Sequence, residues 1–191
     1  MLQKLRRAMV APEREVRRDE VEIDEFFIGG HEEGLKGGRQ RGKKALIAIA
    51  IEVRGAGSGR VRLAVLPDAS GPTLSDFAKA TTTRGAIVHT DGLQSYRVLA
   101  KQGYDHHRRV QQNTEPGEQL LPRAHRAISN LKAWMHGTHR GVSDQHLQIY
   151  LDEFVFRHNR RGTPMAAFQT LLGLGALHEP STYRQITQHT A

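Results

Sequence analysis

Hydrophobic and polar positions alternate through DEVEIDEFFIGG, residues 19–30. Val21, Ile23 and Phe27 fall on one side of the extended chain; Glu22, Asp24 and Phe26 fall on the other. A period of two predicts a strand with two unlike faces, closed by the turn signal Gly29–Gly30. The next run, ALIAIAIEVR (45–54), is apolar almost throughout and predicts a buried strand. GAGSG (55–59) predicts a turn and RVRLAVLPD (60–68) a third strand. These short connections imply an antiparallel meander.

Downstream the period changes. Residues 70–82 predict a turn and a short helix with Thr73 as its N-cap. GAIVHTDG (85–92) predicts a fourth strand, LQSYRVLAKQG (93–103) a helix stopped by Gly103, and YDHHRRVQQ (104–112) a fifth strand. Two helical stripes follow. One carries Ala124, Ala127, Ile128, Leu131 and Met135 within 123–136; the other carries Leu147, Tyr150, Leu151, Phe154 and Val155 within 143–161, with Ser143 as N-cap. Residues 31–44 and 113–122 are predicted loops, 161–180 a short helix and loop, and the last eleven residues a tail. A partial stripe of Leu2, Leu5, Met9 and Val10 makes residues 1–18 look like the end of a helix that starts further upstream. The order β-β-β-α-β-α-β-α-α predicts an α/β fold: a mixed sheet of three antiparallel strands followed by parallel ones, with helices on both faces. That is the ribonuclease H-like arrangement.

Charge narrows the class of partner. The chain has 28 Lys plus Arg against 20 Asp plus Glu, a net +8 over 191 residues. Such a balance points to a polyanion, nucleic acid foremost. There is no cysteine, which excludes disulfides and thiolate metal sites; eleven histidines leave imidazole ligation open. No apolar run approaches the roughly 18 residues of a membrane span, and the first ten residues contain no signal-peptide core. A cytoplasmic protein with no membrane partner is expected.

Two acids stand where chemistry is expected. Asp24 sits mid-strand among Val, Ile and Phe, a position that suits an exposed face or a paired or metal-bound carboxylate. Asp91 ends an apolar strand in IVHTDG, which is both a frequent site position and a plain turn signal. In the ribonuclease H-like order their strands are neighbours. Carboxylates on adjacent strands suit hard divalent ions, and two ions roughly 3.5–4 Å apart suit phosphodiester chemistry.

The segments VEIDEFFIGG, VLPDASGPTL, IVHTDGLQSYRVL and GTHRGVSDQHLQIYLDEFVFRHNRR occur in that order. Together they resemble the catalytic domain of the ISXO-like family of bacterial insertion-sequence transposases of the DDE type, over about residues 1–162. The resemblance implies a ribonuclease H-like catalytic domain at 21–162, preceded by a remnant of an upstream helical region (1–20) and followed by a C-terminal short helix and tail (163–191). The family's usual zinc ribbon is not found in this sequence, so an N-terminally truncated or separately encoded catalytic domain is expected. The implied activity is metal-dependent cleavage of phosphodiester bonds at the ends of an insertion sequence and strand transfer into target DNA. A catalytically weak remnant that binds DNA or oligomerises is the alternative. The implied cofactor is Mg2+ or Mn2+, two ions, and the implied partners are transposon-end and target DNA, with a homo-oligomer expected.

By that resemblance Asp24 and Asp91 are the first two catalytic acids and metal ligands. The third ligand is expected at His125, 34 positions after Asp91, with Lys132 seven positions further as the residue that holds a phosphate. Helix spacing agrees: His125, Ser129, Lys132 and His136 share one face, apart from the apolar stripe. Imidazole suits Mn2+ better than Mg2+. The other reading of His125 is a surface histidine that binds phosphate or nothing. Asn130, on another face, and Glu115 and Glu118 in the preceding loop are the competing candidates for the third ligand.

Candidate DNA contacts are Lys43 and Lys44 with Lys36, Arg39 and Arg41; Arg123, Arg126 and Lys132; and Arg157, Arg160 and Arg161. For any one of them a solvated basic surface is the plainer reading. Trp134 reads as packing, and His106–His107 and His136/His139 as pairs short of a third metal ligand.

Overall fold

A computed structural model of the chain describes residues 2–10, 19–29, 44–110, 119–139 and 142–176. The chain forms two compact units, one of Glu15–Gly141 and one of Met1–Arg14 with Val142–Ala191.

The first unit is built on a five-stranded sheet. Its strands are β1 (Glu20–Ile28), β2 (Ala45–Arg54), β3 (Gly57–Leu66), β4 (Ile87–Thr90) and β5 (Asp105–Arg108), in spatial order β3-β2-β1-β4-β5. β1 pairs antiparallel with β2, and β2 with β3; β1–β4 and β4–β5 are parallel. This is the mixed ribonuclease H-like sheet that the order of elements predicts. The β2–β3 hairpin turns on Gly55 and Ala56 alone, so β3 begins at Gly57, earlier than the predicted 60. Gly55 supplies the positive φ of that turn, +55°.

Alternation along β1 and β2 divides the core in two. Val21 and Ile23 face the same way as Leu46, Ala48 and Ala50, and there they join Leu74, Phe77 and Ala78 of α2 (Gly71–Thr81), with Val88, Tyr96 and Leu99. Phe27 packs against this cluster as predicted. On the other face Ile47, Ile49 and Ile51 are buried, and α4 (Pro122–Thr138) packs on β1 and β2. The predicted stripe of α4, Ala124, Ala127, Ile128, Leu131 and Met135, is its buried side. Burying each such large aliphatic side chain contributes about 1.5–3 kcal/mol.

Local details differ from the sequence expectations. The N-cap of α2 is Ser70, not Thr73: Ser70 Oγ accepts the Thr73 amide at 3.4 Å, while Thr73 Oγ1 donates to Asp68 at 2.8 Å. Residues 93–103 do not form one helix but a 3-10 turn, Gln94–Arg97, followed by the short α3 (Val98–Lys101). Gly103, at φ +85°, follows the end of α3 as its predicted stop.

The second unit contains α1 (Leu2–Ala8), α5 (Asp144–Asn159) and α6 (Pro164–Ala176), with α1 against both of the others. Here the expected stripe of α1 needs correction. Leu5 is exposed and Arg6 is the buried position, because Arg6 Nε reaches Glu153 Oε2 of α5 at 2.5 Å. Arg157 bonds the same carboxylate from one turn further along α5, at 2.9 Å. Burial resists ionisation of Glu153, but the bonds and charges of Arg6 and Arg157 outweigh it and hold its carboxyl below the ordinary value. Ser143 occupies the N-cap position of α5 without a side-chain capping bond.

Candidate active site

The site is assembled on the α4 face of the sheet. On β1, Glu22, Asp24 and Phe26 alternate onto that face and are buried there. β4 runs parallel beside β1 with Glu22 opposite His89. Asp24 lies two residues past Glu22, midway along β1, and Asp91 lies two residues past His89, just beyond the carboxyl end of β4, so two neighbouring parallel strands with axes about 4.8 Å apart carry the two acids in the same direction from their last paired residues. Each carboxylate is oriented by a backbone amide. Asp24 Oδ1 accepts the Glu25 N–H at 2.9 Å, and Asp91 Oδ1 accepts the Leu93 N–H at 2.9 Å, in the turn that leads into the 3-10 segment.

His125 arrives from α4. Its Nε2 lies 3.4 Å from Asp24 Oδ2; the imidazole side chain is 45% exposed and the carboxylate side chain 12%. Helix and strand, 101 positions apart in sequence, thus bring together two of the residues singled out from sequence. The start of the helix is bonded to Glu22. α4 starts at Pro122 with no side-chain cap from Leu121, and Glu22 Oε2 instead accepts the amides of Arg123 and Ala124 at 2.9 and 2.8 Å. Glu22 Oε1 takes Arg123 Nη1 at 2.9 Å. Further along α4, Lys132 Nζ stands 5.5 Å from the centre of the Phe26 ring, a cation–π approach on the same face as Asp24. Ser129, Asn130 and His136 are exposed.

A third acidic side chain lies on the opposite face. Glu25 Oε2 accepts the hydroxyl of Tyr96 at 2.7 Å, and Tyr96 is fully buried. The Tyr96 pKa is held well above its ordinary value, first by burial, then by the charge of Glu25 and its hydrogen bond, then by Asp24 and Asp91. The hydroxyl therefore stays a donor, and it reports a region where three carboxylates concentrate negative charge. Hard oxygen ligands in such a field fit a divalent cation. Among the described residues, no three His, Cys, Asp or Glu side chains already form a metal-holding group.

Several expected DNA contacts have partners within the fold. Arg123 is committed to the frame: besides Glu22, its Nε donates to Gly57 O at 2.9 Å and its Nη2 to Gly55 O, which clasps the β2–β3 hairpin. Its guanidinium is therefore engaged within the fold. Arg126 is exposed and Lys44 half-buried. In the α-helical unit, Arg157 bonds Glu153, Arg160 lies 4.1 Å over the Phe156 ring, and Arg161 Nη1 donates to His158 O at 2.8 Å. Lys43, Lys36, Arg39, Arg41, Glu115 and Glu118 lie outside the described residues. His106 and His107 point to opposite faces: His106 Nε2 meets Thr90 Oγ1 at 2.8 Å, while the His107 ring lies tilted beside His89, 5.4 Å between centroids. One ion cannot join both. Trp134 packs edge-on against His139.

Sequence reasoning missed Glu22 and the Tyr96–Glu25 pair. The signal for Glu22 was a helix with Pro at its first position and no capping side chain before it, which leaves first-turn amides in need of an acceptor from elsewhere.

Residues 18–159 match the family model described as ISXO2-like transposase domain. No curated protein matches the chain. The match spans most of the chain, and the protein belongs to the ISXO2-like family of DDE transposases. No helix among the described residues is long and apolar enough to cross a membrane.

Proposed function

We propose that this member of the ISXO2-like transposase family cuts phosphodiester bonds at insertion-sequence ends and joins the freed strand to target DNA. Asp24, Asp91 and His125 form its site and Lys132 serves as phosphate holder. The observation that carries the reading is the approach of His125 to Asp24 on β1, whose parallel neighbour β4 leads directly into Asp91. Asp24, Asp91 and His125 would hold Mg2+ or Mn2+, which supplies Lewis-acid charge to the attacking and leaving oxygens. In the first step water adds to phosphorus and the bond to the 3′ oxygen breaks, leaving a 3′-hydroxyl. In the second, that hydroxyl attacks a target phosphodiester and displaces its 3′ oxygen. The first step turns a diester into a 5′-phosphate monoester and the second exchanges one ester oxygen for another; phosphorus keeps four oxygens and its oxidation state throughout, so no redox partner is needed. The amides of Glu25 and Leu93 keep the two carboxylates aimed while substrate exchanges, and Lys132 neutralises a backbone phosphate beside them.

The family match over 18–159 supports a catalytic domain at 21–162. DNA is its partner, with Lys44 and Arg126 as further contacts, and a cytoplasmic homo-oligomer is the working form. The second reading, a DNA-binding module without cleavage, draws on one observation: α4 carries no Asp or Glu. Labelled insertion-sequence ends incubated with the protein and Mn2+ or Mg2+ separate the two. Nicking that disappears in Asp24→Asn supports the enzyme. Salt-dependent binding with no nicking supports the module, and nicking unchanged by Asp24→Asn sinks the proposed site.

A further inference from the structure

We propose that Glu22 is a positioning residue, the strut that holds His125 against Asp24. The inference rests on the reading of Asp24 and His125 as site residues. Glu22 is 2% exposed, and a buried carboxylate is costly unless its oxygens are bonded. Here both are: Oε2 takes two first-turn amides of α4, and Oε1 takes the Arg123 guanidinium. The negative charge also sits at the positive end of the helix dipole.

The geometry closes a short circuit. Glu22 grips the amide of Ala124, the next residue is His125, and His125 faces Asp24, which returns to Glu22 two residues back along β1. The strand that carries the acid therefore also anchors the helix that brings the imidazole. Arg123 extends the anchor to the carbonyls of Gly55 and Gly57, so the β2–β3 hairpin bears on the same helix end. Length matters more than charge in this arrangement. A glutamine keeps one acceptor oxygen at the same reach for the two amides and gives up only the Arg123 Nη1 bond, since its NH2 cannot accept, whereas an aspartate keeps the charge but is one methylene too short to meet both amides from the same backbone position.

The test uses the imidazole nitrogen resonances of His125 in labelled full-length protein. In the wild type, Asp24→Asn should displace the His125 signal, because the carboxylate is its neighbour. In Glu22→Ala and Glu22→Asp that displacement should be lost, and in Glu22→Gln it should persist. Nicking should fall about 10²-fold in Glu22→Asp, as for an angstrom-scale misplacement, with DNA affinity unchanged, and should recover in Glu22→Gln. If Glu22→Ala does not fold, the Asp and Gln variants decide. A folded Glu22→Asp with the full Asp24→Asn displacement of His125 overturns the proposal. Addition of Mn2+ to the wild type tests the underlying reading separately. If Mn2+ leaves the His125 signal unbroadened, His125 is no ligand, while the coupling between Glu22, His125 and Asp24 still stands or falls on the first comparison.

Discussion

Tyr96 ties the two acidic strands together through one hydrogen bond. It lies on the 3-10 segment just after Asp91, and its hydroxyl bonds Glu25, the neighbour of Asp24. Tyr96→Phe keeps the ring in its pocket but leaves a partly buried carboxylate without that donor. It should cost about 1–3 kcal/mol of stability by denaturant unfolding; a cost near zero would mean that Glu25 finds water at no penalty. Asp91 stands out in the sequence because it ends an apolar strand, and Asp24 because the family resemblance singles it out from an alternation that Glu22 shares. The sequence did not expose Tyr96 or Glu22. A tyrosine in a helical stripe looks like packing, and Glu22 looks like the polar half of an alternation. Their roles depend on partners 71 and 101 residues away.

At the scale of elements, the apolar pattern located β1, β2, β3 and α4: alternation for β1, a continuous run for β2, which is buried on both faces, and one buried stripe for α4. It was less informative where short segments are held by tertiary bonds, as in the 3-10 turn and α3, which share one predicted helix. The α1 stripe misled for a physical reason. An arginine enters the α1–α5 contact because Glu153 and the Tyr150 ring receive it, with the Arg6 guanidinium 4.2 Å from that ring. This contact has a pH signature. The Glu153 pKa is lowered in the folded state, so around and below its ordinary value of 4.5 the unfolded chain binds more protons. The stabilisation is present above 4.5 and is lost as pH falls through the lower folded value. Thermal midpoints should therefore drop more steeply with acid below pH 4.5 in the wild type than in Glu153→Gln. Parallel acid slopes would show that the ion pair contributes nothing net.

Across the whole molecule, a basic chain of net +8 brings Asp24, Glu25 and Asp91 close enough to act on one tyrosine, Tyr96, while its charge excess favours a polyanion. The fold was legible because strand order follows from a meander, a crossover and two helical stripes. For the proposed site, the family resemblance and the face of a helix both single out His125, and the structure sets that residue beside Asp24. What no local pattern displays is how α4 is fastened at that height above the sheet. The central claim is that an imidazole at position 125 completes a metal-dependent site in place of an acid. The most direct measurement is the rate of Mn2+-dependent nicking of insertion-sequence ends by wild type, His125→Ala and His125→Glu. Loss of an outer-shell partner typically costs 10–100-fold, so removal of a ligand should cost more than about 10²-fold in His125→Ala. His125→Glu should nick and should accept Mg2+ more readily. Equal rates in His125→Ala and wild type would contradict the claim.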